Sequence, residues 1–139
     1  QSQSFVSRKG ELRWPLNGRV AHRFGSARNG PIKWQGWLIN ANAGAEVKSV
    51  HQGRVVFSNY LRGFGLLLII DHGEGYHTLL AGMGRIDALL DQQVLAGEPV
   101  GVMDSSNSDK PRLYVELRKR GHPINPLPWL AAESIKVSG

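Results

Sequence analysis

The sequence predicts a single all-β domain of the antiparallel type, with little helix. The chain of 139 residues is long enough for one hydrophobic core, whereas two domains would each be close to the size at which folding becomes marginal. Short runs rich in apolar and β-branched residues follow one another, and Gly, Pro, Asn and Asp separate them. No stretch keeps a helical period over the length of an ordinary amphipathic helix. We therefore expect antiparallel strands joined by turns.

Seven runs account for the expected strands, and each ends at residues that favour turns. In chain order they are RVAHRFG (19–25), WLINAN (37–42), EVKSVHQGRVVFSNYL (46–61), GLLLIIDH (65–72), YHTLLAGM (76–83), QQVLAGEPVGVMD (92–104) and RLYVELRKRG (112–121). Gly53 lies inside the third run and indicates a bulge or a bend. Gly73 and Gly75 stand between two runs with no helix after them, which favours a hairpin turn over a phosphate-binding loop. RIDALLDQQV (85–94) and PLPWLAA (126–132) are the candidates for one or two helical turns.

The chain divides into a core domain with two polar ends. Residues 1–12 are polar and lack a sustained period, so we expect a tether to something upstream. The domain is expected over 13–130 and a C-terminal tail over 131–139. The chain begins at Gln1 without Met or a charged-then-apolar leader, which is typical of a processed protein or an excised fragment.

Charge and composition limit the classes of partner. The formal net charge of +6 favours nucleic acid, anionic lipid, an anionic cell-wall polymer or an acidic protein surface. The basic residues are scattered and no helix-turn-helix, zinc-finger or RNP-type pattern accompanies them, so nucleic acid is not an expected partner. The chain has no cysteine, which excludes disulfides and thiolate metal sites. The longest apolar run, 65–70, is far shorter than the roughly 20 residues that cross a bilayer.

The strand expected over 111–121 has two different faces. Its alternation places Leu113, Val115 and Leu117 on one face. The other face carries Arg112, Tyr114, Glu116 and Arg118. This polar face fits the solvated side of an antiparallel sheet, and it equally fits the wall of a binding groove.

The five histidines form no strong local metal motif, because none is paired as H-x-H or H-x-x-x-H. His72 and His77 flank a turn together with Asp71 and Glu74, a cluster that suits either a cation site or simply a polar hairpin end. The Ser-rich stretch DSSNSDK (104–110) lacks the G-x-S-x-G elbow and a nearby histidine base, so nucleophilic catalysis is unsupported.

A series of motifs covers nearly the whole chain: GRVAHRFG, KWQGWLINANAGAEVKSVHQGRVVFS, GFGLLLIIDHGEGYHTLLAGM, VLAGEPVGVMDSSN and RLYVELRKRGHPINPLPWL. In this order they resemble the lysostaphin/LytM-type zinc metalloendopeptidase domain, which cuts peptide cross-links in bacterial cell walls. Many turn glycines and the closing N-P-x-P-W-L element fall in register. The resemblance implies the LytM-type (duplicated hybrid motif) fold, an antiparallel β-sheet domain with a groove.

The resemblance fails at the catalytic positions. Where active members carry a His and, four residues later, an Asp as zinc ligands, this chain has Trp34 and Leu38. The H-x-H of the family, whose second His binds zinc and whose first assists catalysis, corresponds to Arg112 and Tyr114, and a further catalytic His corresponds to Gly82. Indole and aliphatic groups offer no lone pair to a metal, and an Arg charge would repel it. We therefore expect no cofactor, no metal and no peptidase activity.

The resemblance extends to degenerate members of the family that have lost the metal and act as murein hydrolase activators. WQGWLI, RLYVELRKRG and NPLPWL resemble that subgroup. It implies a periplasmic domain that binds and switches on N-acetylmuramoyl-L-alanine amidases during daughter-cell separation. It also implies an upstream coiled coil that connects the domain to an inner-membrane cell-division transporter, and peptidoglycan as a further candidate partner.

Carried over position by position, the activator groove implies seven partner-binding residues: Gln35, Leu38, Phe64, Leu80, Arg112 (added by periodicity), Tyr114 and Arg118. Tyr and Arg are frequent among interface hot spots, and an Arg fork holds a carboxylate with two hydrogen bonds.

Two alternatives remain open from the sequence. One is a residual hydrolase with a different metal arrangement around His72 and His77. The other is a peptidoglycan-binding module without regulatory action.

Overall fold

The computed structural model describes residues 4–105 and 110–132, and their regular structure is almost entirely β-strand. The strands are β1 (Arg19–His22), β2 (Ala27–Asn29), β3 (Ile32–Lys33), β4 (Trp37–Asn40), β5 (Glu46–Lys48), β6 (Gly53–Leu61), β7 (Gly65–Gly73), β8 (Tyr76–Ala81), β9 (Arg85–Ile86), β10 (Gln93–Val94), β11 (Pro99–Val102), β12 (Arg112–Lys119) and β13 (His122–Ile124). All pairings between these strands are antiparallel. The all-β antiparallel prediction is confirmed.

Most strands belong to one large sheet, in the order β1-β4-β12-β8-β7-β6-β10, with β13 paired to β12. The strand with two different faces, β12, is therefore central: it pairs with β4 from Arg112 to Val115 and with β8 from Tyr114 to Lys119. A three-stranded sheet, β5-β11-β9, and a two-stranded ribbon, β2-β3, complete the pairing. Every residue of the two ribbon strands is exposed.

The large sheet buries both faces of its central strands, and the two faces differ. One face packs on the main core, which includes Leu113, Val115 and Leu117 of β12 and apolar residues of the three-stranded sheet. The opposite face holds a smaller cluster of Leu67, Leu79 and Ala81, against which Tyr114 and Ile69 pack. The period of two in a strand assigns alternate residues to these two layers.

Residues 4–12 pack against the domain, which differs from the expectation of a tether over 1–12. Phe5 is completely buried in the main core, and its ring lies 4.9 to 5.4 Å from the rings of His51, His72, Tyr76 and Trp129. Leu12 forms a parallel bridge with Leu130 near the other end of the chain. One large aromatic side chain anchors this polar segment, because its burial removes a large apolar area from water.

The chain's ends are otherwise described only in part. The Ala131 backbone N–H donates to the Leu12 carbonyl at 2.8 Å, so the expected C-terminal tail begins in contact with the N-terminal segment. Residues 133–139 of that tail lie outside the described residues.

Helix is limited to short 3₁₀ turns at Val6–Arg8 and Leu127–Trp129 within the described residues. The second falls within PLPWLAA, one of the two candidates for helical turns. The other candidate, 85–94, instead contributes the short strands β9 and β10. No helix in the described part of the chain has the length and apolar character needed to cross a membrane.

Candidate functional site

An open groove of about 470 Å³ lies on the face of the large sheet opposite the main core. It is bordered by the β2–β3 ribbon, the turn between β6 and β7, the end of β8 and the first half of β12. Of the positions singled out by the sequence, the groove collects Trp34, Gln35, Leu38, Phe64, Gly82, Arg112 and Tyr114. Residues far apart in the chain thus line one surface.

Six other lining residues were not among the positions that the resemblance implied: Arg28, Ile32, Lys33, Gly63, Ala81 and Glu116. The first three belong to the ribbon, with Arg28 in β2 and the other two in β3. Nothing in the period of the sequence indicates that so short a ribbon stands beside β12. Glu116, in contrast, shares a face with Arg112 and Tyr114 by simple alternation, a signal that was present in the sequence.

The floor of the groove follows from the strand register. Leu38 of β4 lies directly opposite Tyr114 of β12, and Tyr114 lies opposite Ala81 of β8. These three residues therefore form one row across three neighbouring strands, on the face opposite the main core. Gly36 permits this close approach, since a Cβ there would lie 2.3 Å from the Val115 carbonyl oxygen.

The buried carboxylate of Glu116 links Tyr114 in the groove to Arg118 further along β12. Tyr114 donates from its hydroxyl to Glu116 Oε1 at 2.6 Å, and Arg118 donates from Nη1 to Glu116 Oε2 at 2.5 Å. The Glu116 side chain is only 5% exposed. Burial raises the pKa of Tyr114, and the hydrogen bond to the Glu116 carboxylate raises it further. The phenol is therefore a neutral donor, and Glu116 fixes its orientation.

Arg118 does not line the groove, although the resemblance placed it among the partner-binding residues. It lies further along β12, opposite His77. Its guanidinium is held within the domain, by Glu116 through Nη1 and by the Gly121 carbonyl through Nη2. Its position suits the support of Glu116 more directly than contact with a partner.

Leu80 is a correction to the expected set of groove residues. Its side chain is 1% exposed and belongs to the main core, on the other side of the sheet. Its neighbours in β8, Leu79 and Ala81, are the residues that face the groove side. Because successive side chains in a strand point to opposite faces, a position one residue away from the groove row is excluded from it.

Trp34 stands at the base of the ribbon between two other side chains. The His22 ring stacks on it with centroids 4.7 Å apart, and the Arg28 guanidinium carbon lies 4.1 Å from its ring centroid. Its backbone N–H donates to the Ser26 carbonyl at 2.9 Å, which extends the ribbon by one more pair. Trp34 thereby ties the ribbon to the sheet, and its indole Nε1 is buried without a hydrogen-bond partner among the described residues.

Gly82 directly follows β8, and its backbone conformation is one that residues with a side chain rarely adopt. Its φ is +103°, and a Cβ there would lie 2.4 Å from the Arg112 carbonyl oxygen. The strand end thus approaches β12 so closely that only glycine fits.

The side chains at the positions where the resemblance implies zinc ligands do not fit a zinc ion. Trp34 offers only an N–H donor, Leu38 offers no polar atom, and the Tyr114 phenol is neutral and already bonded to Glu116. Across residues 4–105 and 110–132, no group of three or more His, Asp or Glu side chains is arranged to hold a metal.

The alternative cation cluster at the β7–β8 hairpin is not assembled. His72 is buried on the core side, where its ring Nδ1 lies 2.9 Å from the Gln52 carbonyl oxygen and its Nε2 lies 2.9 Å from Thr78 Oγ1. His77 lies on the other face, 3.9 Å from an Asp71 carboxylate oxygen. The two histidines therefore point to opposite sides of the sheet.

The curated relatives of the chain include murein hydrolase activators. The chain is 37% identical over 123 residues to the murein hydrolase activator EnvC of Escherichia coli, covering 88% of this chain and 29% of that protein. It is 34% identical over 119 residues to the murein hydrolase activator NlpD of the same species, covering 85% of this chain and 31% of that protein. The chain thus spans less than a third of the length of these curated relatives.

A solved structure and a family model also match this chain. The structure of Helicobacter pylori Csd3 matches with a TM-score of 0.76 at 25% identity, over 92% of this chain and 37% of that one. The family described as Peptidase family M23 matches residues 32–126, which include the ribbon strand β3, all of β12 and every sequence-predicted groove residue. By this match and by its curated relatives, the chain belongs to peptidase family M23.

Proposed function

We propose that this domain is a non-catalytic activator of a cell-wall N-acetylmuramoyl-L-alanine amidase, which it binds through the groove. Binding switches the amidase on and so promotes the splitting of septal peptidoglycan during cell division. The proposal rests on the groove of an M23 domain whose chemistry suits protein recognition rather than hydrolysis.

One observation carries this proposal. The five positions at which the resemblance implies ligands or catalytic histidines line a single groove: Trp34, Leu38, Gly82, Arg112 and Tyr114. Together they offer an indole, an aliphatic group, a phenol and a guanidinium, and no metal-binding donor set. The groove is thus retained with its aromatic and cationic lining, and such lining is typical of protein interfaces.

The names of two relatives support the same conclusion, since EnvC and NlpD are both called murein hydrolase activators. Since the chain spans less than a third of either protein, we carry over only a role that one domain can perform, the contact with the hydrolase. We also propose a periplasmic location, because that is the compartment in which an amidase reaches the cell wall. The inner-membrane division transporter, reached through an upstream coiled coil, and peptidoglycan itself are further proposed partners.

A dye-release assay tests the proposal. Dye-labelled cell wall is incubated with the domain alone, with each periplasmic amidase of the host bacterium alone, and with both together. We expect no release by the domain, slow release by the amidase and strong stimulation when the two are combined. Release by the domain alone that stops with a chelator and returns with zinc would identify a hydrolase instead.

Substitutions separate groove binding from other modes of activation. Leu38→Glu places a carboxylate in the apolar floor opposite Tyr114, and it should abolish stimulation while the melting temperature stays near that of the wild type. Val6→Glu, at an exposed position of the N-terminal segment outside the groove, is the matched control. A Leu38→Glu domain that melts normally and stimulates fully would exclude the groove. Sedimentation with cell-wall sacculi but no stimulation of any amidase would indicate a peptidoglycan-binding module.

A further inference from the structure

The rim of the groove carries three cations for which residues 4–105 and 110–132 provide no ion pair. Arg28 and Lys33 extend from the β2–β3 ribbon, and Arg112 begins β12; all three are exposed. Among the described residues, none of the ion pairs involves any of them. Elsewhere on the surface, exposed Arg85 and partly exposed Arg8 do have carboxylate partners, Asp87 and Glu11. The groove therefore holds a local excess of positive charge.

Glu116, the acidic side chain among the described residues that line the groove, does not offset this excess. Glu116 is buried, and it already accepts hydrogen bonds from Tyr114 and from the guanidinium of Arg118. A carboxylate paired in this way contributes little field to the groove, since its charge is compensated by the adjacent Arg118.

Apolar side chains stand beside the three cations. Ile32 is 57% exposed and Phe64 is 44% exposed, although both are large hydrophobic residues, and Leu38 lies half-buried in the floor. Exposed apolar surface bordered by charge marks interaction sites for protein segments. A glycan strand, whose surface is mainly hydroxyl and amide groups, would cover less of this apolar surface than a large apolar side chain.

We infer that the groove binds a peptide segment of the partner in which carboxylates lie next to a large apolar side chain. The apolar side chain packs against Ile32, Leu38 and Phe64, and the carboxylates meet Lys33, Arg112 and Arg28. This inference rests on the proposed function, because it specifies the amidase surface that enters the groove. The three cations accelerate the encounter and orient the segment, whereas the apolar contact holds it.

Charge reversal tests the inference through kinetics. The association rate of each host amidase with the immobilised domain is measured at about 0.02 M and about 0.5 M salt, where the Debye length falls from roughly 20 Å to below 5 Å. For the double variant Lys33→Glu/Arg112→Glu we expect an association rate at least about tenfold lower than that of the wild type at low salt, with the difference largely lost at high salt. Lys48→Glu, an exposed cation of β5 outside the groove, is the control and should change the rate by less than about twofold.

The possible results separate the inference from the proposed function. If Leu38→Glu abolishes binding but the charge-reversed double variant associates like the wild type at low salt, the groove binds the amidase and the inference is wrong. If the wild type binds no amidase, both are wrong. If charge reversal leaves amidase binding intact but removes sedimentation with purified sacculi, the cations serve a cell-wall polymer and the inference is again wrong.

Discussion

Arg118 and Glu116, two residues apart on the same face of β12, form an ion pair in which the carboxylate is buried and the guanidinium remains partly accessible. The Glu116 side chain is 5% exposed and the Arg118 side chain is 30% exposed. A buried carboxylate is tolerated only while its partners remain, because its desolvation is otherwise uncompensated. Arg118 therefore has a structural role in addition to any role in binding.

We predict that Arg118→Ala destabilises the domain rather than acting only on a partner. Removal of one partner of a buried pair costs about 3 to 5 kcal/mol, and partial exposure of the guanidinium places the expected loss near 2 to 3 kcal/mol. Urea denaturation measures it as a lower midpoint at an unchanged slope. Arg112→Ala, at an exposed arginine of the same strand that forms no ion pair with the described residues, should change the midpoint little.

The second variant in this test is Arg118→Ala/Glu116→Gln. Since the neutral amide no longer needs a cation, the double variant should be more stable than Arg118→Ala alone. Equal losses from Arg112→Ala and Arg118→Ala would show that Glu116 does not depend on its partner.

Phe5 provides a test of the N-terminal segment. Phe5→Ala should lower the free energy of unfolding by about 3 kcal/mol, because the side chain is completely buried among four aromatic rings. Val6→Ala, at a neighbouring residue that is 47% exposed, should cost less than about 0.5 kcal/mol. A Phe5→Ala domain as stable as the wild type would restore the tether interpretation of residues 1–12.

The stability of the domain should depend on pH through His72. Burial lowers the pKa of His72 from 6.5 to about 4. Below pH 6.5 the unfolded chain binds a proton that the folded chain excludes, so the free energy of unfolding falls as the pH decreases towards 4 and this loss stops below that value. The full contribution is roughly 3 kcal/mol.

Denaturation curves recorded between pH 7.5 and pH 4 in steps of about half a unit would measure this dependence. In His72→Leu the free energy of unfolding should change less with pH between pH 6.5 and pH 4 than in the wild type, whatever the absolute stability of the variant. Identical slopes in both proteins would mean that other groups cause the pH dependence.

Metal removal should leave the domain unchanged. A chelator should not lower the melting temperature, because the positions implied as zinc ligands carry Trp34, Leu38 and Tyr114, and the main core and strand pairing hold the fold. Elemental analysis of the purified domain should find less than about 0.1 zinc per chain. A stoichiometric metal, or a drop of several degrees on adding chelator, would contradict this expectation.

The alternation of β12 was readable from the sequence because one face is wholly apolar and the other polar. Leu113, Val115 and Leu117 enter the main core as that pattern predicts. The same reasoning fails for Leu80 in β8, because the second half of that strand, residues 79 to 81, is apolar and buried on both faces. Periodicity cannot distinguish the two layers in such a strand.

Other features were missed because they depend on contacts between distant segments. The sequence around Phe5 has no period, so its burial follows only from the aromatic residues that surround it in the folded chain. The cations Arg28 and Lys33 reach the groove because the ribbon stands beside it, anchored through Trp34. The Glu116–Arg118 pair lay within reach of simple alternation, but two charges on one face of a strand are more often solvated than buried.

The backbone at Gly82 limits what redesign of this groove can achieve. A histidine placed there would need a positive φ and would bring its Cβ against the Arg112 carbonyl oxygen, so the side chain cannot be added without moving β8 away from β12. Replacing side chains one by one would therefore not convert this groove into the peptidase site that the family resemblance implies. Conversion into a hydrolase would first require a different main-chain path between β8 and β12, and this holds for evolution as well as for protein engineering.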